Sequence, residues 1–338
     1  MTDVILEKLY AHKQNLETHF EKASKFLVKC QIIEPYVEKG TLHGCICPWE
    51  IGEFADEGAF PILEDFHDTL EAIWVWSYYT EVSRKQTFKP NITWAWEYIT
   101  ENWKRFIKEE KTDGGLYDCS FLLFSGAFYE KVFSDNKYEE LIIKAGNHLE
   151  KYLEKLESTK GREYHDPFWM TFCLGLVAKQ LKQGKWFRTA ETFVKNKIVS
   201  TEKPFSNIER EPRHKGPGNH DFFCKNANKA LALIVCLDQE ELTKQILLKE
   251  FLPCLPKNFV SRHVDENAWN AHLATAIGKA YLLTGNTDFL KRYFAIMDEL
   301  KVRDVQKSAA LPRSPSFLRR ESWATFFYAH AYASVCNY

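Results

Sequence analysis

The chain lacks an excess of charge of either sign: 45 basic residues stand against 46 acidic ones, a formal net charge of −1. Bulk attraction to nucleic acid or to an anionic membrane surface needs a basic excess, so neither partner is expected. Long apolar runs are missing too. No stretch approaches the roughly 18 apolar residues of a membrane span, and Met1-Thr2-Asp3-Val4 is not a basic leader ahead of an apolar core; a soluble, cytoplasmic protein is the expectation. The phosphate loop, the dinucleotide glycine fingerprint, the His-Glu-x-x-His zinc motif and the Gly-x-Ser-x-Gly nucleophile turn are all absent. Nucleotide hydrolysis, dinucleotide redox chemistry and serine hydrolysis lose their usual support, and no cofactor is expected.

Cysteine is present but unpatterned. Nine thiols, an odd number, sit mostly on apolar helix faces (Cys30, Cys119, Cys173, Cys224, Cys236, Cys336) and read as reduced core residues rather than a disulfide framework. His43-Gly44-Cys45-Ile46-Cys47 lacks the second donor pair of a zinc site, so no metal is expected. The segment reads instead as a lid, with Trp49 as a substrate contact and Glu50, Glu53, Asp56 and Glu57 as its acidic rim.

What is there is a repeat. An acidic residue heads an apolar, helix-like run at positions 68, 118, 166, 221, 266 and 321, in steps of 50, 48, 55, 45 and 55 residues. Such a period marks a repeat architecture. Runs such as Phe168-Trp169-Met170-Thr171-Phe172-Cys173-Leu174 are apolar nearly all round and must be packed on every side. Between them lie amphipathic segments at 4–31, 91–109, 137–157, 185–199, 239–250 and 286–301, with one wet and one buried face. Links from the first kind to the second are short, as at Thr284-Gly285, which implies antiparallel neighbours. Return links are long, so all long loops and all heads fall on one face. The whole of residues 1–338 then forms one all-α domain.

Six such hairpins with parallel inner helices resemble the (α/α)6 toroid of many glycoside hydrolases, polysaccharide lyases and sugar epimerases. The segment Asp265-Glu266-Asn267-Ala268-Trp269 through Gly285-Asn286 looks like a hairpin of that superfamily. The resemblance implies a carbohydrate-active enzyme, a hydrolase by default with epimerase or lyase close behind. No catalytic residue carries over, because no single enzyme family is matched. Isoprenoid-binding and terpene-cyclase toroids are the first alternative, though their Asp-x-Asp-Asp and Gln-Trp motifs are absent; a non-catalytic scaffold or ligand sensor is the second.

The heads carry the candidate chemistry. An Asp at a helix start is first of all a cap for unpaired backbone N–H groups; Asp68 with Glu71 reads as a capping box and Asp166-Pro167 as a cap with first-turn proline. A cap needs no imidazole beside it, yet His67, His165 and His220 each precede a head acid. Three histidines at one mouth can carry protons in general acid/base catalysis. Asp265-Glu266 is a doublet of which only one acid can cap. The other, near Trp269, is expected to have its proton affinity raised, while Glu321, behind Arg319 and Arg320, is expected to stay ionised. Two carboxyls so separated suit glycosidic hydrolysis. The catalytic candidates are therefore His67, Asp68, His165, Asp166, His220, Asp265, Glu266 and Glu321, and Glu266→Gln is expected to abolish turnover while sparing stability. Tyr117, Trp169, Trp269 and Trp323 offer flat rings for a sugar, and Arg213, His214, Arg262, Arg319 and Arg320 offer charge for an anionic saccharide at the mouth.

Overall fold

The computed structural model describes residues 2–33, 42–50, 65–107, 113–158, 167–207, 222–261, 265–314 and 319–336. Among them the apolar runs form the inner helices α3 (Phe66–Ser83), α5 (Asp113–Phe133), α7 (Pro167–Gln180), α9 (Phe222–Cys236), α11 (Glu266–Thr284) and α13 (Ser322–Ala333). The amphipathic segments form α1 (Thr2–Gln14), α2 (Leu16–Cys30), α4 (Lys89–Phe106), α6 (Glu139–Ser158), α8 (Gly184–Val194), α10 (Glu240–Ile246) and α12 (Thr287–Arg303). One expected outer helix, 4–31, is broken at Asn15 into α1 and α2. α8 and α10 each run on into a π turn, Lys195–Val199 and Leu247–Phe251.

Each inner helix packs on the next, and α13 returns to α3, so the ring closes. The physical reason lies in the two kinds of face. From Asp68 to Thr80 every residue of α3 is buried, and α11 is buried from Glu266 to Gly278, so neither helix has a wet side to turn outward. The outer helices bury one stripe, as α12 does with Phe289, Leu290, Tyr293, Ile296, Met297 and Leu300.

The short turns share one device. α11 ends at Gly285 with φ 66°, its N–H donating to Tyr281 O at 2.8 Å. Arg84, Ser134 and Lys182, directly after or within two residues of the ends of α3, α5 and α7, take the same left-handed conformation without being glycine. A left-handed residue stops a helix by satisfying its last carbonyls and turns the chain back.

The opposite face is tied by Ile46. It bridges Gln31 at the end of α2 and Asp65 at the start of α3, while Trp49 bridges Glu321 and Ser322 N donates to Pro48 O. The expected lid is thus, over residues 45–50, packed structure: Cys45, Ile46 and Cys47 are buried, and buried Glu50 ion-pairs with Arg320 and Lys29. Glu53, Asp56 and Glu57 lie outside the described residues.

Candidate active site

The head of α3 starts one turn earlier than the capping-box reading placed it. Asp65, not Asp68, is the N-cap, and its Oδ1 accepts from the Asp68 N–H at 3.2 Å. Asp68 is thereby released from capping and sits buried in the first turn. The spacing Asp65-x-x-Asp68 is the same pattern shifted by three residues, and is the signal that could have found it. Asp118 likewise lies inside α5, which begins at Asp113, and is not a helix head.

His67 gathers these acids. Its Nδ1 lies 3.0 Å from Asp65 Oδ1 and 3.5 Å from Asp118 Oδ1, and its Nε2 lies 3.4 Å from Asp68 Oδ1. Burial alone would lower the imidazole's proton affinity, but the hydrogen bond to Asp118 and the charges of Asp65, Asp68 and Asp118 outweigh it and lift its pKa to about 9. Asp68 is pushed well above the usual carboxylate range by burial and by Asp65, with His67 and a hydrogen bond from Ser322 pulling the other way. One turn deeper stands Glu71, wholly buried, with neither carboxyl oxygen hydrogen-bonded among the described residues. Burial, then the charges of Asp68 and Asp65, push its pKa well above the usual carboxylate range. Glu71 appeared in the sequence only as half of a capping box.

α13 supplies the facing carboxyl. Glu321 accepts from Arg313 Nε at 2.8 Å and Nη2 at 2.7 Å, and from Trp323 Nε1 at 2.5 Å. Burial raises its pKa, and the two-pronged guanidinium opposes that rise. The expected partners Arg319 and Arg320 do not hold it. Arg320 is spent on Glu50 and on Ser308 Oγ at 3.1 Å, and Arg319 lies over the Trp49 ring at 5.5 Å. Ser322 Oγ donates to Asp68 Oδ2, which brings the α3 and α13 carboxyls to one corner of the mouth.

The acidic doublet behaves otherwise than expected. Glu266 is gripped by Arg303, which also reaches Asn267 Oδ1 and Ser261 Oγ, each at 3.1 Å. It is a fastened anchor between α11 and α12, not a free acid beside Trp269, because the outer helix presents a guanidinium that sequence spacing does not reveal. Asp265 lies 3.9 Å from Arg313 Nη1, on the side of Glu321. Among the rings, Trp169 is buried against Phe121, Phe124, Phe172 and His272 with centroids 5.2–5.8 Å apart; it is a core ring rather than a sugar platform. Trp269 is buried against Trp323 and Phe327. Trp323, Trp49 and Tyr117 remain partly exposed, and Tyr117 meets His67 edge-on at 5.2 Å. Below the mouth, Trp74, Phe124, Phe326 and His330 pack the axis of the ring. An isoprenoid reading required an aromatic cavity with few titratable groups; the described rings instead fill space, and the titratable groups crowd the mouth. His165, Asp166, His220, Arg213, His214 and Arg262 lie outside the described residues.

Asp65, His67 and Asp68 place donor atoms within 4.8 Å of one another, a set that could hold a divalent cation. Cys45, by contrast, is committed to the fold, donating to Ile46 O at 3.3 Å and receiving Thr69 Oγ1 at 3.8 Å.

No family model and no curated protein matches the sequence. Solved structures do match the fold, and it is that of (α/α)6 toroid glycosidases. The heparin-specific unsaturated glucuronyl hydrolase superposes with a TM-score of 0.62 at 12% identity over 95% of this chain and 96% of that one. The GH76A α-1,6-mannanase of Salegentibacter sp. HEL1_6 superposes at 0.58 and 9% identity, covering 95% and 98%. A variant of that mannanase, inactivated at two adjacent aspartates and bound to α-1,6-mannotetrose, gives 0.60 at 10% identity over the same shares. The chain is thus an (α/α)6 toroid.

Proposed function

We propose that this protein is a glycoside hydrolase-like, carbohydrate-active enzyme that cleaves a small saccharide at the α3–α13 corner of the mouth. The observation that carries the reading is Asp68: relieved of capping by Asp65, buried, and oriented by Ser322. Such a carboxyl keeps its proton near neutral pH, as a general acid for the leaving glycosidic oxygen must. Glu321 is the complementary group, held towards its anion by Arg313 so that it can activate water or face the developing positive charge.

His67 also argues for hydrolysis over epimerisation or elimination. An imidazole must be deprotonated to take a proton from carbon, and one held between the carboxylates of Asp65 and Asp118 stays protonated at pH 7. A saccharide substrate accords with the mannotetrose bound by one structural neighbour and the heparin specificity of another. The cationic face of Arg319 over Trp49 supports an anionic sugar. All nine cysteines are free thiols, which supports a reducing, cytoplasmic location.

The test is reducing-end release from α-1,6-manno-oligosaccharides and from unsaturated uronyl oligosaccharides. Asp68→Asn is expected to lower turnover roughly 100- to 10,000-fold with the fold intact by circular dichroism. Activity that survives this substitution removes Asp68, and the proposal with it.

A further inference from the structure

We propose that the seam where the ring closes carries a second ligand site, apart from the mouth and built for a small phosphomonoester. A cavity of about 440 Å³ opens there between α1, α2, α12, the turn that follows α12, and the last turns of α13. That is the size of a small-molecule pocket, and nothing in the reaction at the α3–α13 corner uses it.

Its floor is an aromatic stack. The Tyr332 ring lies between His12, at 3.6 Å and 18°, and His19, at 3.9 Å and 14°. His12 is committed, its Nε2 lying 2.8 Å from Tyr332 O and 3.1 Å from Tyr293 Oη. His19 is not. It is 8% exposed, and its Nε2 has no hydrogen-bond partner among the described residues. An unmet buried polar atom costs about 1–3 kcal/mol, so the ring packs in the fold while its Nε2 is left without a hydrogen-bond partner among the described residues. Burial holds both rings neutral at pH 7, and a neutral imidazole still has one N–H to donate.

The rim supplies the charge. Of the ionic groups lining the cavity, Lys8 is taken by Asp298 at 2.6 Å, and Asp304 accepts from the Ser308 and Ala309 N–H groups of its own turn. Lys22, Lys301 and Lys307 are left, from α2, from the end of α12 and from the turn, without an ion pair among the described residues. Three ammonium groups from three elements suit a compact dianion, for which lysine acts as a point charge. A phosphomonoester carries about −1.5 to −2 at pH 7. Phe294, Met297 and Ala11 offer an apolar wall for the rest of the ligand. Because the cavity spans the first and last helices, an occupant would brace the closure of the ring.

The experiment is calorimetric titration of the full chain with mannose 6-phosphate, with mannose and inorganic phosphate run in parallel, plus melting curves. Saturable binding of mannose 6-phosphate is expected, with a raised Tm, weakened about tenfold in the Lys301→Ala/Lys307→Ala double variant. The unliganded melting point of that variant is expected to be unchanged, since both lysines are exposed. Binding is also expected to persist in Asp68→Asn, which separates this site from the mouth. Inorganic phosphate binding as tightly as the sugar phosphate would mean an adventitious ion only, and overturns the proposal. So does an absence of heat up to about 10 mM, or affinity indifferent to the double substitution.

Discussion

Ser322 donates its hydroxyl to Asp68, so the last inner helix of the ring is fastened to the first at the buried carboxyl on which the proposed chemistry turns. That bond favours the ionised form of Asp68, against the larger effect of burial. Removing it in Ser322→Ala raises the pKa of Asp68 further. Activity that needs the protonated acid falls as pH rises through this pKa, so the alkaline limb of the pH–rate profile is expected to move upward. Stability should drop by about 1 kcal/mol. An alkaline limb that stays in place would detach Asp68 from the rate.

Glu266 and Arg303 make a pair whose loss should be felt in stability. Both side chains are largely shielded, at 10% and 14% exposure, and breaking a buried pair strands a charge. Glu266→Gln is expected to cost about 3 kcal/mol in denaturant unfolding while turnover remains. This reverses the outcome expected from the sequence, and abolished turnover at unchanged stability would restore the earlier assignment.

The seam should be acid-sensitive. Burial lowers the pKa of His12 to about 4 and that of His19 well below 6.5. Unfolded, both titrate near 6.5, so between that pH and about 4 the unfolded chain binds more protons and gains on the folded one. Stability from these groups is complete above about 6.5 and lost as pH falls, by up to about 3 kcal/mol for His12. Melting temperature followed from pH 7 downward reads this directly, and His19→Phe should flatten the fall. An unaltered slope in that variant would show that other groups drive the loss.

The left-handed turns predict opposite signs at two positions. At Gly285 an added Cβ meets nothing within 4 Å, so Gly285→Ala suffers backbone strain alone, about 1 kcal/mol. Ser134 already bears that strain at φ 51°, and Ser134→Gly is expected to gain up to about 1 kcal/mol. Chemical denaturation midpoints of the two variants test the pair.

How much of the site was legible depended on whether its signal was local. The heads of α3 and α13 were visible because an acid at the start of an apolar run is a feature of a few neighbouring residues. Asp265 and Glu266 were legible as a doublet, but not as different in fate, since Arg303 and Arg313 come from segments 37 and 48 residues away in the chain. Trp169 read as a platform because helical spacing places it one turn inside the mouth; only its neighbours on α5 and α11 bury it.

By itself the sequence determined the repeat, the division into all-apolar and one-sided helices, and hence a closed ring of hairpins, because burial is written into each helix as a periodicity. It also set an acidic residue at or near the start of each apolar run. Only the tertiary structure decided which of the described acids caps its helix, which is clamped by arginine and which is left holding a proton. Those fates depend on what stands opposite each carboxyl across the ring, and a linear pattern of residues carries no record of distance through space.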